Sequence, residues 1–416
     1  MKIITLEEKE FDKYAQKHKY RSYYQSSSYG KIMKKFGYDI HYLGIIDEME
    51  NLIGASLLLY KEVFMNYKIA YAPRGLLFDY SNGDLLKEFT ERLKKLLAKQ
   101  GFMLLKIDPV VPVALHNANG KILNINPESN IIVENLKASH WEYHGPTLFF
   151  ETEKPRFEAV ISFNKDIDAI YNTFEKRVRY KIKKAMRSGV EIIKGNEQNL
   201  PLFYNFVKKK YSRPIEYYQE FYKNFKGDID LYFAKLNTET FVINSKKLYE
   251  REMEINDNLA YKIQQAKNAN TRKKLINEKI ESDKLINTYK KNLVWATNLL
   301  KENPNGILIA SSLVLRYDRS AFLIIEGLNS KFKSLNPSYL MKWELISTYK
   351  KMNLKYINFN AVSGDFEHIT EYSGLNEMKL GFNPIISEYV GEFDFVINQL
   401  PYNLYRNLNK DKKKEK

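Results

Sequence analysis

From Asp228 to Asn303 the chain contains neither glycine nor proline, and this unbroken run constrains the fold more than any other feature. Two helical segments fill most of it, SKKLYEREMEINDNLAYKIQQAK and TRKKLINEKIESDKLINTYKKNLVWATNLLKE, joined at the polar NANT. Leu248, Ile255, Leu259 and Ile263 of the first can face Ile276, Ile280 and Leu293 of the second, as in a two-stranded coil. The pattern predicts an antiparallel helical hairpin over 240–302, an arm about 45 Å long at 1.5 Å per residue. Between Ser245 and Asn303 there are 13 basic and 8 acidic residues, so the arm is mildly cationic.

Short strands and helices alternate on both sides of the arm. YDIHYLGII and NLIGASLLLY read as a hairpin, YKIAYAPRG as a third strand, and GDLLKEFTERLKKLLAKQG as a helix with an apolar stripe of Leu85, Leu86, Phe89, Leu93, Leu96 and Leu97. The strand FMLLKIDPVV follows. A second unit starts near RFEAVISFNKD, continues through one helix, DIDAIYNTFEKRVRYKIKKAMRSG, and the strand VEIIKG, and resumes after the arm. There GILIASSLVLRYDRSAFLIIEGLN reads as a hairpin, NPSYLMKWELISTYKKMN as a helix and LKYINFNAVSG as a strand. The order predicts a mixed α/β (α+β) chain with two similar units in tandem.

Composition sets outer limits. Apolar residues make up 44% and aromatics 14% of 416 residues, which marks a globular chain. No apolar run approaches the roughly 20 residues of a membrane-spanning helix. The acidic MKIITLEEKEFDKYAQ lacks a signal core, so a cytoplasmic location is expected. The absence of cysteine excludes disulfides and thiolate chemistry. A net charge of +16 points to polyanionic partners, although a lysine-rich genome would also raise it.

The chain has no phosphate loop, GxGxxG, HExxH or GxSxG, and its six histidines have no metal-ligand spacing. Cationic residues are concentrated elsewhere. Seven of the twelve residues from Lys176 to Arg187 are basic and none is acidic. Tyr171, Phe174, Val178, Ile182 and Ala185 form an apolar stripe beside them, leaving Arg177, Arg179, Lys181, Lys183 and Lys184 for a tRNA or phosphate surface. KKKYSRPIEYY, Lys208 to Tyr218, is a second basic and aromatic corner. Arg74 and Asp108 end candidate strands, where α/β folds place ligands. Arg74 can grip a phosphate or pair with a carboxylate as a turn residue, and Asp108 can be catalytic or structural.

YQSSSYGKI, YAPRGLLFDY, LLKIDPVVP, RVRYKIKKAMRSGVEI, SRPIEYY, NFNAVSGDF and EMKLGFNPIISEYVGEFD, in this order across nearly the whole chain, resemble the Fem-type (FemABX) aminoacyltransferases of bacterial cell-wall synthesis. The resemblance implies two tandem GNAT-like domains without acetyl-CoA binding, at 1–153 (completed by 388–410) and 154–387. The arm at 240–302 is then an insertion in the second, followed by a disordered basic tail at 411–416. It implies aminoacyl-tRNA as donor and a peptidoglycan precursor, lipid II or UDP-MurNAc-pentapeptide, as acceptor, with peripheral contact at the inner membrane face. Arg213 matches an arginine that contacts the precursor's diphosphate, and Tyr217 a pocket tyrosine. Lys31 is the nearest match to a second phosphate-binding lysine, with Lys34 and Lys35 as alternatives. Asp108 matches an acid near the reaction centre, and Lys379 the lysine that stabilises charge on the ester carbonyl. Three positions depart from the family: Met378 where an aromatic usually precedes that lysine, and Met103 and Ile325 where some members have tyrosines.

No cofactor is expected, because an aminoacyl ester is already activated. Aminolysis needs positioning, deprotonation of the amine and stabilisation of the oxyanion. Two other readings compete. An acyl-CoA-dependent GNAT acetyltransferase would need a pyrophosphate loop, [QR]xxGx[GA], that is missing. A non-enzymatic RNA-binding protein would use the arm as a clamp. The transferred amino acid and the partner of the arm (tRNA, membrane or another copy) are left open by the sequence.

Overall fold

The computed structural model describes residues 1–209 and 213–414. Lys210 to Ser212 of the basic corner, and the last two residues of the tail, lie outside them.

The chain builds one sheet, leaves it and later returns. β1 (Lys2–Thr5), β2 (Asp39–Ile46), β3 (Leu52–Phe64) and β4 (Tyr67–Ala72) pair antiparallel in succession, and β5 (Phe102–Ile107) joins β4 in parallel. Between β1 and β2 come α1 (Glu8–Ala15) and α2 (Ser27–Lys35). The parallel step needs a crossover, supplied by α3 (Gly83–Lys99), which buries Leu86, Phe89, Leu93 and Leu97 of its predicted stripe. β6 (Pro112–His116) and β7 (Ile122–Ile125) then desert this sheet, and α4 (Ser129–Ala138) leads to β8 (Glu142–Tyr143) back at its edge.

A second sheet takes β9 (Phe157–Ser162), β10 (Val190–Gly195), β11 (Ile229–Leu236), β12 (Ile307–Tyr317), β13 (Ser320–Leu328), β14 (Tyr356–Val362) and β15 (Ile385–Tyr389). Its spatial order is β10-β11-β12-β13-β14-β9-β15-β6-β7, so β6 and β7 belong to it although they precede residue 153. β16 (Phe393–Val396) crosses back to lie between β5 and β8 in the first sheet. A boundary drawn at 153 therefore does not separate the sheets.

The helix expected over 166–189 is two, α5 (Ile167–Thr173) and α6 (Lys176–Arg187). Phe174 and Glu175 between them are extended, with ψ of 147° at each. The break lets Phe174 pack against Trp343 and Phe382 while the Glu175 N–H donates to Gly381 O at 3.0 Å. Next come α7 (Leu200–Val207) and α8 (Ile215–Asn224). The arm consists of α9 (Thr238–Gln265) and α10 (Ala269–Glu302), the latter about 51 Å long at 1.5 Å per residue.

The seam of the arm differs from the predicted one. Leu248, Ile255, Ile276 and Ile280 are exposed, and Asn256 and Ser282 are buried instead. Asn256 Nδ2 donates to Asp283 at 2.8 Å and Ser282 Oγ to Glu252 at 2.7 Å. Two helices without a third partner can cover only a narrow strip, and here polar pairs set its register.

α11 (Pro337–Lys351), α12 (Ser373–Leu380) and α13 (Gln399–Lys414) complete the chain. α13 runs through the first four residues of the tail expected to be disordered at 411–416, because its lysines sustain a helix where no glycine or proline stops it. One apolar core runs from the first sheet through α7 and α8 to Leu231, Phe233, Leu313 and Ile325 of the second. No helix among the described residues is long and apolar enough to cross a membrane.

Candidate functional site

The cleft is anchored by Gln25, a fully buried amide in the YQSSS turn. Its Oε1 accepts from Leu57 N at 2.8 Å, and its Nε2 donates to Pro73 O at 2.9 Å. That tie fixes the turn against β3 and the end of β4. A Cβ on Gly75 would lie 2.8 Å from Nε2, so glycine is required there. The preceding tyrosines, Tyr23 and Tyr24, stack with ring centroids 4.1 Å apart. They form a wall shared by two cavities.

The first cavity, about 280 Å³, lies among Tyr23, Tyr24, Arg74, Glu158, Tyr389 and Asn360. The second, about 160 Å³, is lined by the same tyrosines with Lys154, Arg213, Tyr217, Ile325 and Asn360. The third, about 390 Å³, holds Lys379 with Phe150, Ile325, Phe359, Ala361 and Met378, and again Asn360. Asn360 therefore lies in the wall of all three. It sits at the irregular end of β14, where the pairing with β9 shifts register and its own φ is +66°.

Arg213 and Tyr217 come together as expected. Pro214 precedes α8 with an extended backbone, so Arg213 and Tyr217 flank the first turn. The guanidinium lies 4.4 Å over the Tyr217 ring, which also meets Phe36, Tyr218 and Phe221. Burial pushes the Tyr217 hydroxyl well above its usual range, with Arg213 pulling the other way, so it remains a neutral donor. Lys379, on α12, is nearly buried, and its Nζ donates to Ala361 O at 2.5 Å.

Three other expected residues are placed differently. Lys31 is ion-paired with Glu8 on α1 and lines none of the three cavities. Arg74 reaches the first cavity, but its guanidinium is 2.6 Å from Glu158, donates to Pro155 O at 2.8 Å and lies over Tyr389. Burial alone would lower its pKa; Glu158 and Asp108 outweigh that and hold the cation firmly charged. Its charge is thus already neutralised within the protein. Asp108 faces inward, accepting from Tyr71 OH at 2.7 Å and from Arg74 N at 2.5 Å. Burial raises its pKa against the opposing pull of Arg74 and Tyr71. Its carboxylate holds Arg74 at a φ of +56°, a positioning task behind the cleft.

On α6, Arg177 pairs with Glu175 and with Glu377 of α12, so the absence of acids within the helix does not leave it free. Arg179 donates to Asn172 O and Lys181 to Tyr339 OH. Lys183 and Lys184 are exposed and have no ion-pair partner among the described residues.

Lys154 and Asn360 were not singled out from sequence. Lys154 lies 4.2 Å over the Tyr24 ring and opens on the Arg213 cavity, supplying the second cation that Lys31 does not. Asn360 lies within NFNAVSGDF, so the stretch was visible but not the residue. Of the three departures, Met378 and Ile325 line the cleft, whereas Met103 packs against Leu104 and Tyr402 away from it. Outside the cleft, His144, Glu392 and Asp394 converge with ligand atoms within 4.8 Å. Lys106 already sits between the two carboxylates, making an ion-pair network there.

The FemAB family profile matches residues 6–410. Aminoacyltransferase FemA of Staphylococcus epidermidis is 25% identical over 421 residues, covering 99% of this chain and all of the relative. The FemA of Staphylococcus aureus strain bovine RF122 / ET3-1 is also 25% identical, covering 99% of both chains. Among solved structures, that of FemX superposes with a TM-score of 0.71 at 21% identity, covering 97% of this chain and 99% of the other. That likeness establishes a shared fold.

Proposed function

The chain belongs to the FemAB family and is an aminoacyltransferase, and from that premise we propose that it moves an amino acid from aminoacyl-tRNA to the stem-peptide amino group of a peptidoglycan precursor. The observation that carries this reading is the adjacency, at Asn360, of a cationic aromatic cavity and a cavity holding a lysine. The precursor's diphosphate is assigned to Arg213 and Lys154, and Tyr217 walls the pocket beside it. The stem peptide then extends past Asn360 and Ile325 toward Lys379.

In the transfer, the acceptor nitrogen attacks the ester carbonyl carbon and forms a tetrahedral oxyanion. Collapse expels the ribose hydroxyl of the tRNA and leaves an amide. No nucleophilic side chain is needed, in keeping with a cleft built of lysine, arginine, tyrosine and asparagine. Lys379 supplies the positive charge for the oxyanion, held in place by Ala361 O. Asp108, turned away from the cleft, acts through Arg74; the amine's proton leaves to substrate or solvent. Lys183 and Lys184 of α6 are assigned to donor RNA phosphates. The reaction takes place in the cytoplasm, at the inner membrane face when the acceptor is lipid II.

The test is direct. The protein is mixed with tRNA charged with glycine, alanine or serine, and with lipid II or UDP-MurNAc-pentapeptide. Mass spectrometry should find one added residue on the stem peptide. No transfer with any donor to either acceptor would overturn the reading.

A further inference from the structure

A cavity of about 510 Å³, larger than any in the cleft, opens where the arm meets α6. It is lined from α6 (Tyr180, Lys184, Arg187), α9 (Ser245) and α10 (Asn292, Trp295), with Leu335 closing one end. Its volume falls within the roughly 300–1,000 Å³ of small-ligand pockets.

The lining carries unspent hydrogen-bonding capacity. Ser245 is 6% exposed, yet its hydroxyl has no hydrogen-bond partner among the described residues. The Asn292 amide and the Trp295 Nε1–H likewise have none there, and Lys184 and Arg187 have no carboxylate partner. Trp295 is held by an edge contact to Phe241 at 5.3 Å and by Phe332 at 5.8 Å, so its ring is a fixed surface. Tyr180 is 64% exposed and packs against no other ring among the described residues. An aromatic wall, amide and hydroxyl groups inside, and two free cations outside match a base and its phosphate. An anionic lipid headgroup would use the cations but not the indole, the amide or the buried hydroxyl.

We propose that this arm-root cavity receives one unpaired nucleotide of an RNA, with Lys184 and Arg187 on its phosphate and Tyr180 and Trp295 against its base. That the RNA is the charged donor rests on the functional reading above. The arm then orients the donor from a point outside the cleft.

Two measurements test it. In steady-state transfer, Tyr180→Ala should raise KM for charged tRNA by roughly 5- to 150-fold, the range of one lost base stack. Lys184→Gln with Arg187→Gln should raise it too. KM for the precursor should not move, and Tyr180→Phe should recover the loss by restoring the ring. Separately, titration with uncharged tRNA should quench a tryptophan signal that disappears in Trp295→Phe. If the wild-type protein transfers but both variants keep KM for charged tRNA within twofold, the inference fails, and with it the assignment of Lys184 to RNA phosphates, while the transfer reaction itself stands. If the wild-type protein transfers nothing, that reading fails and the titration alone decides, with no quench overturning the cavity assignment. Quenching by vesicles of anionic lipid but not by tRNA would also overturn it.

Discussion

At the scale of single residues, the cleft separates groups that meet substrate from groups that hold them. Lys379→Met removes the cation from the third cavity, and kcat should fall about 100- to 1,000-fold, the cost of one oxyanion donor. Arg213→Ala and Lys154→Ala should instead raise precursor KM by roughly ten- to a hundredfold each, since a hydrogen bond to a charged group is worth about 1.5–3 kcal/mol. An unchanged KM in Lys154→Ala would return the second phosphate contact to another lysine. Glu158→Ala tests stability rather than turnover. It strands the buried Arg74 cation, and breaking such a pair costs about 3–5 kcal/mol in chemical denaturation. Arg74→Met with Glu158→Met should regain most of that loss. His18 gives the pH dependence: burial, reinforced by Lys19, holds its pKa down at about 4, and its neutral Nδ1 accepts from Tyr20 N at 3.2 Å. Below an ordinary pKa of about 6.5 the unfolded chain takes a proton that the folded one refuses. Stability should therefore fall as pH drops from 6.5 toward 4, and less steeply in His18→Asn; an identical decline in Tm would refute this. Arg213, Tyr217 and Lys379 lie in family-like motifs and line the cavities, but a motif alone does not place a side chain, since Lys31 lies in one too and pairs with Glu8 instead. Lys154 was not legible, because only folding brings the residue before Pro155 over Tyr24.

At the scale of elements, hydrophobic spacing predicted helices well and their partners poorly. The α3 stripe folded inward as read, because one face of a helix against one sheet has a single solution. The arm has no such sheet over most of its length, and its apolar spacing admits several registers. Asn256 with Asp283 and Ser282 with Glu252 choose among them, information that an apolar pattern cannot hold. Asn256→Ala should cost about 1 kcal/mol, the net worth of one hydrogen bond, with faster amide exchange confined to the middle of α9 and α10. Faster exchange in α7 or α8 would mean instead that the arm and core unfold together. The split between α5 and α6 was hidden for a similar reason. Nothing local stops that helix; the distant Gly381 carbonyl and the Trp343 and Phe382 rings do.

At the scale of the whole molecule, two tandem units were legible in the strand and helix order, and the family resemblance implied that 388–410 returns to the first, where β16 lies; the passage of β6 and β7 into the second sheet was not legible. β6 lies in sequence within the first unit, and only its pairing with β15 assigns it to the second sheet. β16 shows the reverse, lying 240 residues after the first unit's nominal end yet filling the gap between β5 and β8. Each sheet is thus completed by chain from the other's span, and the core through α7 and α8 is common to both. Cutting at residue 153 would remove β6 and β7 from one sheet and β16 from the other. The burial they provide is central: Phe393 and Phe395 of β16 are at most 1% exposed, and Phe395 stacks on Trp141. A fragment of residues 1–153 alone should therefore lack a cooperative thermal transition, whereas the intact chain unfolds its two sheets together. Calorimetry on both decides the matter. A sharp, reversible transition in the isolated fragment would show that the exchanged strands decorate a self-sufficient domain rather than complete it.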